Sequence, residues 1–465
     1  VRLLEVPWDY VDREARDRGT SVYFPERAVH MFPAGLATGL CSLNPSVDRL
    51  VQSCLLEIDR SGEVVGCEFH DGVIRSDARM TYTEVNAILT DRDPALIERY
   101  GAFVPLFERM HEVFTRLNAR RRDRGSIDFD LPEPEIVLDA AGLVEAIIPA
   151  ERNVAHRLIE EFMLAANEAV ATYLDTRGVP ALYRTHDAPD PVKVAEFDEF
   201  VSSLGFRLTA GQTGPSPGDF QRLVERIRGT PVERPVAFLM LRTMQQAKYE
   251  AANRGHFGLA TSSYTHFTSP IRRYPDLVVH RMLRLARRGE IAADRRARLD
   301  EELPDLARHL SERERRAMEA EREIVHWKKV RFMADKVGEV FDGYITGVSA
   351  FGVFVQLVEH FVEGLVHVST MADDYYRYQE TTHVLRGENT GAAYRMGDRV
   401  RVQVLRVDLE RRLVDLGLLE VLEAVRASRS GTDPGRPRRR TTGRPASRTP
   451  RKRTGRSRRP GRGRR

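Results

Sequence analysis

The sequence predicts an α+β chain in three parts: a mixed helix-and-strand body, a small five-stranded β-barrel, and a basic tail with no core. Three observations predict it. Up to residue 335, short apolar runs alternate with long helical patterns. From Lys336 to Leu418 the chain reads as strand after strand punctuated by Gly, and beyond residue 419 a short helix gives way to Arg, Pro, Gly, Ser and Thr. At 465 residues, 42% hydrophobic and 30% charged, the chain is long enough for two or three domains with cores of their own.

In the body, residues 50–58 and 64–69 read as strands from their β-branched content and bounding turns. Residues 158–174 carry apolar side chains at three- and four-residue spacing and predict a helix. A second helix is predicted over residues 306–334, dense in Glu and Arg, with Leu310, Met318, Ile324 and Trp327 as its apolar positions. Strands are then predicted at 338–345, 352–357, 363–368, 398–404 and 413–416. Five short strands in about 80 residues suit a small Greek-key barrel. The tail composition cannot bury a core and predicts disorder.

Charge is distributed unevenly. The formal net charge is +5, yet residues 426–465 hold seventeen Lys and Arg against Asp433 alone, so the rest of the chain is mildly acidic. Any nucleic-acid site in the body must therefore come from local arrangement. No stretch approaches the roughly 18 apolar residues of a membrane span, and residues 1–10 lack the pattern of a signal peptide. Cys41, Cys54 and Cys67 share no metal-ligand spacing and, being odd in number, predict no disulfide framework. A cytoplasmic monomer, away from membranes, is the expectation.

Two groups of residues point to chemistry. In the barrel, Phe341, Tyr344, Phe351, Phe354, His367 and Arg399 lie on or beside the predicted strands. Aromatics interleaved with basic residues on a barrel face make a stacking platform for unpaired bases; the competing reading is that some of these rings are core. Phe351 and Phe354, three apart, cannot share one face of a regular strand. In the body, Thr268-Ser269-Pro270-Ile271-Arg272-Arg273 reads as a capped helix start beside two arginines, which suits a phosphate. A capped helix with solvated arginines is the plainer alternative.

Motif order adds a resemblance. Gly338-Glu339-Val340, Phe351-Gly352-Val353-Phe354-Val355 and Glu363-Gly364-Leu365-Val366-His367-Val368-Ser369 resemble the OB-fold RNA-binding unit repeated in the largest small-subunit ribosomal protein. Tyr264-Thr265-His266-Phe267-Thr268-Ser269-Pro270-Ile271-Arg272-Arg273-Tyr274-Pro275-Asp276-Leu277 resembles the signature of the catalytic (RNB) domain of the RNase R/RNase II exoribonucleases. Arg18-Gly19-Thr20-Ser21-Val22-Tyr23-Phe24-Pro25, Ala78-Arg79-Met80-Thr81-Tyr82, Arg124-Gly125-Ser126-Ile127-Asp128-Phe129 and Ile159-Glu160-Glu161-Phe162-Met163 match the same family in order. The expected organisation is an RNB catalytic-domain body at 1–335, a five-stranded OB-fold barrel at 336–419 and a disordered basic tail at 420–465. The tail favours the RNase R branch and is expected to bind RNA without sequence preference.

The resemblance implies 3′→5′ processive cleavage of single-stranded RNA with release of nucleoside 5′-monophosphates. It implies that Tyr23 and Phe129 clamp terminal bases, that Tyr82 and Glu160 contact the 3′-terminal nucleotide, and that Arg272 holds the scissile phosphate. Arg273 is a second phosphate candidate, and Glu321 matches a glutamate near the active site. Phe351, Phe354 and His367 are the barrel's RNA-binding candidates. On the residues alone, Tyr23 reads as strand packing, Tyr82 as a core or strand-end aromatic, Glu160 as a solvated or paired glutamate, and Glu321 as an i, i+4 partner.

The resemblance also implies Mg²⁺, held by an Asp-rich run upstream of the segment matching Arg18-Gly19-Thr20. Glu5, Asp9, Asp12, Glu14 and Asp17 do not show that spacing. The expectation is an N-terminally truncated chain without the metal ligands. A non-catalytic RNA-binding protein that retains channel and barrel is the alternative, and a regulator tethered to the ribosome by its tail is a third reading. Ribosomes or the RNA-decay machinery are the further partners considered.

Overall fold

The computed structural model describes residues 10–128, 133–209, 211, 214–230, 232–379 and 384–429. The body begins with α1 (Val11–Arg18), which ends at Gly19 in the left-handed region, φ 71°. A Cβ there would stand 2.7 Å from the Arg313 side chain, so glycine is required twice over, by conformation and by space. A short ribbon follows, β1 (Val22–Tyr23) with β2 (Ala28–Val29), then a long antiparallel hairpin, β3 (Asp48–Ile58) with β4 (Val64–Arg75). Helices α2 (Tyr82–Asn86), α3 (Pro94–Arg99) and α4 (Val104–Asp123) lead to a second hairpin, β5 (Pro134–Leu138) with β6 (Val144–Pro149).

Next comes α5 (Val154–Thr176). It starts a turn before the periodicity suggests because the Asn153 side chain accepts from the Ala155 and His156 amides and caps it. Strand β7 (Tyr183–Thr185), helices α6 (Pro191–Ser203), α7 (Pro217–Ile227) and α8 (Glu233–Thr243), and strand β8 (Lys248–Glu250) follow, with β8 pairing back onto β7. Two helices close the body, α9 (Tyr274–Arg288) and α10 (Ala293–Phe332). The main core gathers Val170, Ala171 and Leu174 of α5, Leu277 to Leu283 of α9, and Leu303, Ala307 and Leu310 of α10. That last trio explains why α10 begins well before residue 306. Pro304 lies inside the helix, where the core holds the residues on both sides of it together. A satellite core joins α6, α7 and α8.

The barrel is closed in the order β10-β11-β16-β15-β9, from β9 (Val340–Ser349), β10 (Gly352–Leu357), β11 (Glu363–His367), β15 (Arg399–Asp408) and β16 (Leu413–Leu418). β11 and β16 run parallel, and the other pairs are antiparallel. Val353, Val355, Leu357, Val366, Val402, Val404 and Leu416 fill it. Phe341 joins them: it is buried, and so corrects its reading as an outward ring. Between β11 and β15 the chain inserts a three-stranded sheet that the sequence did not announce, β12 (Tyr376–Gln379), β13 (Val384–Gly387) and β14 (Ala393–Arg395). Helix α11 (Leu419–Arg429) follows β16; the expected tail beyond it lies outside the described residues. The C-terminal end of α10 docks the barrel, with Lys329 Nζ donating to the Phe361 carbonyl (2.8 Å) and His326 Nε2 to that of Arg412 (2.9 Å).

Candidate nucleic-acid interface

The 264–277 motif is not a helix start at Thr268. Residues 269–273 form a tight turn in which the Arg272 and Arg273 amides donate to the Ser269 carbonyl, and α9 begins at Tyr274 with Pro275 in its first turn. The reason is Asp276. Its fully buried carboxylate accepts from the Ser269 amide (2.8 Å) and takes the Arg273 guanidinium on both oxygens (2.8 and 2.7 Å). Arg273 is thereby spent on structure. Arg272, one residue earlier, is exposed, and its side chain makes no hydrogen bond or ion pair with a described residue.

The same turn is stitched to the N-terminal segment. The Arg272 carbonyl accepts from the Ser21 amide (2.8 Å), Thr20 forms a bridge with Arg273, and the Tyr274 amide donates to Gly19 (2.9 Å). Residues distant in sequence thus bring Tyr23 and Arg272 to one place. Tyr23 is 48% exposed. Its amide donates to Glu321 Oε1 of α10 (2.6 Å). Two helical turns further along α10, Lys328, almost wholly buried, pairs with Glu26 at 2.5 Å in the turn after Tyr23. The Lys328 ammonium holds the Glu26 carboxyl below its ordinary range. Glu321 is therefore a backbone clamp for Tyr23 rather than an i, i+4 partner. Lys328 and Glu26 were missed; the seven-residue spacing of Glu321 and Lys328 on one helix was the only available signal.

A second cluster forms on α5. Tyr82 opens α2 behind a Thr81–Glu84 capping box, is 45% exposed, and stacks on His156 (3.9 Å between centroids, 25°). Glu160, one turn beyond His156, accepts from Arg152 (2.9 Å), which also reaches Asp128 (3.2 Å). Phe129, next to Asp128, lies outside the described residues. Behind the cluster, Glu161 accepts from Arg121 (2.7 Å) and Asn118 (2.8 Å), and both members of the Arg121–Glu161 ion pair are buried. A solvent-facing carboxylate and a buried one thus sit side by side on one helix.

In the barrel, Phe354 points outward from β10, between the inward Val353 and Val355. Phe351 lies in the turn before the strand, outside its alternation. The two rings therefore meet edge to face after all, 5.9 Å apart at 89°. Register places His367 opposite Gly352, so it joins the same end of the barrel. Phe351 is 49% exposed and His367 is exposed, its Nδ1 within 2.8 Å of the Ser369 hydroxyl.

Beneath the 264–277 motif is a group of histidines kept neutral by burial. His256 is pushed down to about 3, and His186, His266 and His280 are also lowered, in each case mainly by desolvation. His266 hydrogen-bonds Tyr249 (2.8 Å), while His280 stacks on Phe267 and donates to its carbonyl (2.8 Å).

Asp276, Asp12 and Glu321, the carboxylates bonded to the segments around Arg272 and Tyr23, are each already committed to protein donors. Asp276 is saturated by Arg273, and Asp12 accepts from the Tyr274 hydroxyl (3.0 Å) and Arg281. Among the described residues no group of three or more His, Cys, Asp or Glu could hold a metal ion. No described helix is long and apolar enough to cross a membrane.

An exposed arginine beside an exposed tyrosine, in a body joined to a barrel with an aromatic face, is an arrangement suited to a single-stranded nucleic acid. Residues 7–289 match the family model of the RNB domain, and residues 334–418 match that of the S1 RNA binding domain. Ribonuclease R of Aquifex aeolicus is 45% identical over 417 residues, which make up 89% of this chain and 58% of that protein. Ribonuclease R of Escherichia coli is 42% identical over 423 residues, 90% of this chain and 52% of that protein. The structure of Mycoplasma genitalium RNase R in complex with ribose-methylated single-stranded RNA superposes with a TM-score of 0.83 at 28% identity, covering 90% of this chain and 65% of that one. The chain belongs to the RNB-domain family, which it shares with these ribonucleases R. It spans about half the length of the curated relatives it matches.

Proposed function

We propose that this chain grips single-stranded RNA and presents its 3′ end for processive 3′→5′ cleavage to nucleoside 5′-monophosphates. The observation that carries the reading is the stitching of residues 19–21, just before Tyr23, to residues 272–274, which puts an exposed aromatic ring and an unpaired guanidinium on one hydrogen-bonded backbone unit. Tyr23 stacks on a base, which needs no sequence because every base has a π-face. Arg272 holds a phosphate through its planar donor fork and stabilises charge developing on the phosphoryl oxygens. Phe129 is the clamp opposing Tyr23, and Tyr82 and Glu160 bound the 3′-terminal nucleotide. Phe351, Phe354 and His367 stack on the incoming strand at the barrel. Mg²⁺ is the proposed cation; it would activate water and stabilise the leaving oxygen, and it requires carboxylates additional to those of the described residues.

Polarity is the decisive test, and it can be read without turnover. A single-stranded RNA carrying 4-thiouridine at its 3′ terminus is photocrosslinked to the full chain, and one carrying it near the 5′ end serves as the second probe. Crosslinks from the 3′ end to peptides containing Tyr23 or Tyr82, with those from the 5′ probe on the barrel, support the reading. The reverse pattern, or one indifferent to polarity, overturns it.

A further inference from the structure

The inserted sheet β12-β13-β14 sorts its side chains by alternation, save that Val384, on the same face as the arginines, is buried. Tyr376, Leu385 and Tyr394 enter the barrel's core, whereas Arg377, Arg386 and Arg395 are exposed. Tyr375, which shares the parity of Arg377, is 68% exposed. Register places Arg377 directly opposite Arg386, and Arg395 opposite Val384, diagonal to Arg386. Side chains directly opposite have Cβ atoms about 5 Å apart, where like charges destabilise the sheet.

Little nearby relieves them. Arg386 and Arg395 make no side-chain hydrogen bond or ion pair with a described residue. Arg377 has Glu388 at 3.7 Å, an exposed contact of the kind worth little. The neighbouring acids are bonded mainly to backbone and hydroxyl groups, and Asp398 alone is also close enough to feel the charge of Arg395. Asp374 accepts from the Asn389 and Thr390 amides, Asp373 from the Tyr376 hydroxyl, and Asp398 from the Arg395 amide. Like charges opposed on a sheet face cost stability that the fold does not recover, and a polyanion laid across them reverses the sign.

We propose that this outer face is a second RNA-contact surface, in which Arg377, Arg386 and Arg395 hold successive phosphates and Tyr375 offers its ring to a base. It rests on the RNA-gripping function proposed above. An extended polyanion fits better than a single small anion, because the three guanidinium groups rise from three different strands, each about 4.8 Å from the next. The chain passes from His367 of the aromatic patch through one 3-10 turn, Val368–Thr370, towards this sheet, which lets one RNA strand serve both.

The test is fluorescence anisotropy of a labelled oligoadenylate on the full chain across a potassium chloride series. The triple variant R377Q/R386Q/R395Q should bind several-fold more weakly and flatten the slope of log K against log salt by about 2, since each phosphate contact on a single strand contributes roughly 0.7. The triple Arg→Lys variant should keep the slope. R386Q alone should raise the melting temperature by removing an opposed charge. An unchanged slope in the Gln triple overturns the proposal, as does a lowered melting temperature in R386Q. If the slope is unchanged while F351A weakens binding, the barrel reading survives and only the second surface falls. If neither variant affects binding, the RNA grip itself fails.

Discussion

The body and the barrel are built on different principles. Every buried polar or charged side chain among the described residues, from Ser21 to Lys328, belongs to the body, whereas the barrel's buried side chains are aliphatic and aromatic. A core of Val and Leu tolerates repacking, and what it displays is a generic stacking surface. A core that contains Arg121–Glu161, Arg273–Asp276 and a set of neutral histidines tolerates far less, because each charge or ring nitrogen needs its partner in place. The difference teaches where precision is required. On the proposed function, the barrel needs only to offer rings, whereas the body must hold one guanidinium and one tyrosine in a fixed relation.

The largest expected effect breaks that precision directly. E161A removes the nearer of the two carboxylates paired with the buried Arg121 guanidinium, leaving it Asp128 at 3.5 Å and the Ser126 hydroxyl, and should destabilise the body by about 3 kcal/mol, seen as a fall in the melting temperature of the full chain. The double variant R121M/E161L, which removes both charges, should be milder than E161A. Equal losses would show that volume rather than uncompensated charge sets the cost.

Acid sharpens the same contrast. A histidine whose folded pKa is depressed binds its proton less readily folded than unfolded, so stability is intact above the unfolded value of 6.5. It is lost as pH falls from there towards the folded value, about 3 for His256. Between pH 7 and pH 5, His256 alone should cost the body about 2 kcal/mol; His186, His266 and His280 act in the same direction. Among the described residues of the barrel only the half-buried His360 is shifted this way. Hydrogen exchange at pH 5 should show α5 and α9 losing protection while β9, β10 and β11 keep theirs. Simultaneous loss would show that the two regions unfold as one unit.

How much of this was legible in the sequence follows the same division. Alternation and Gly punctuation placed all five barrel strands close to their observed bounds, because strand period is a local signal. The inserted sheet escaped because its strands are only three or four residues long, too short for alternation to register. In the body, the motif around Arg272 was visible but its geometry was not. Whether Arg272 or Arg273 faces solvent depends on Asp276, and the link from Thr20 to Arg273 spans the whole domain. Phe351 and Phe354 failed a strand rule only because Phe351 is in a turn. Phe341 shows the converse: parity tells which residues share a face, and not which face is the inner one.

The two arginines allow the comparison to be drawn within a single turn. R272A should weaken oligoadenylate binding about tenfold, as expected for loss of a charged hydrogen-bonding group, and should leave the melting temperature within a degree or so. R273A should do the opposite: affinity changes little, but Asp276 is left buried and unpaired, so the melting temperature falls. If both variants lose affinity at constant stability, the turn holds two phosphates and the structural assignment of Arg273 is wrong.

The smallest expected effect is in the barrel. Phe351 stands in a turn, half exposed, supported by one edge-to-face contact with Phe354. A stacked base contributes about 1–3 kcal/mol, and a ring held this loosely should sit at the lower end, so F351A should weaken binding about fivefold. F354A should match it, since it removes both a ring and the support of its neighbour, and the double variant should fall short of the product of the two single losses. Full additivity would mean that the rings contact separate bases and owe each other nothing. It would make the barrel a set of independent contacts, set against a body in which Glu321, Lys328 and the turn at Arg272 together hold the segment that carries Tyr23.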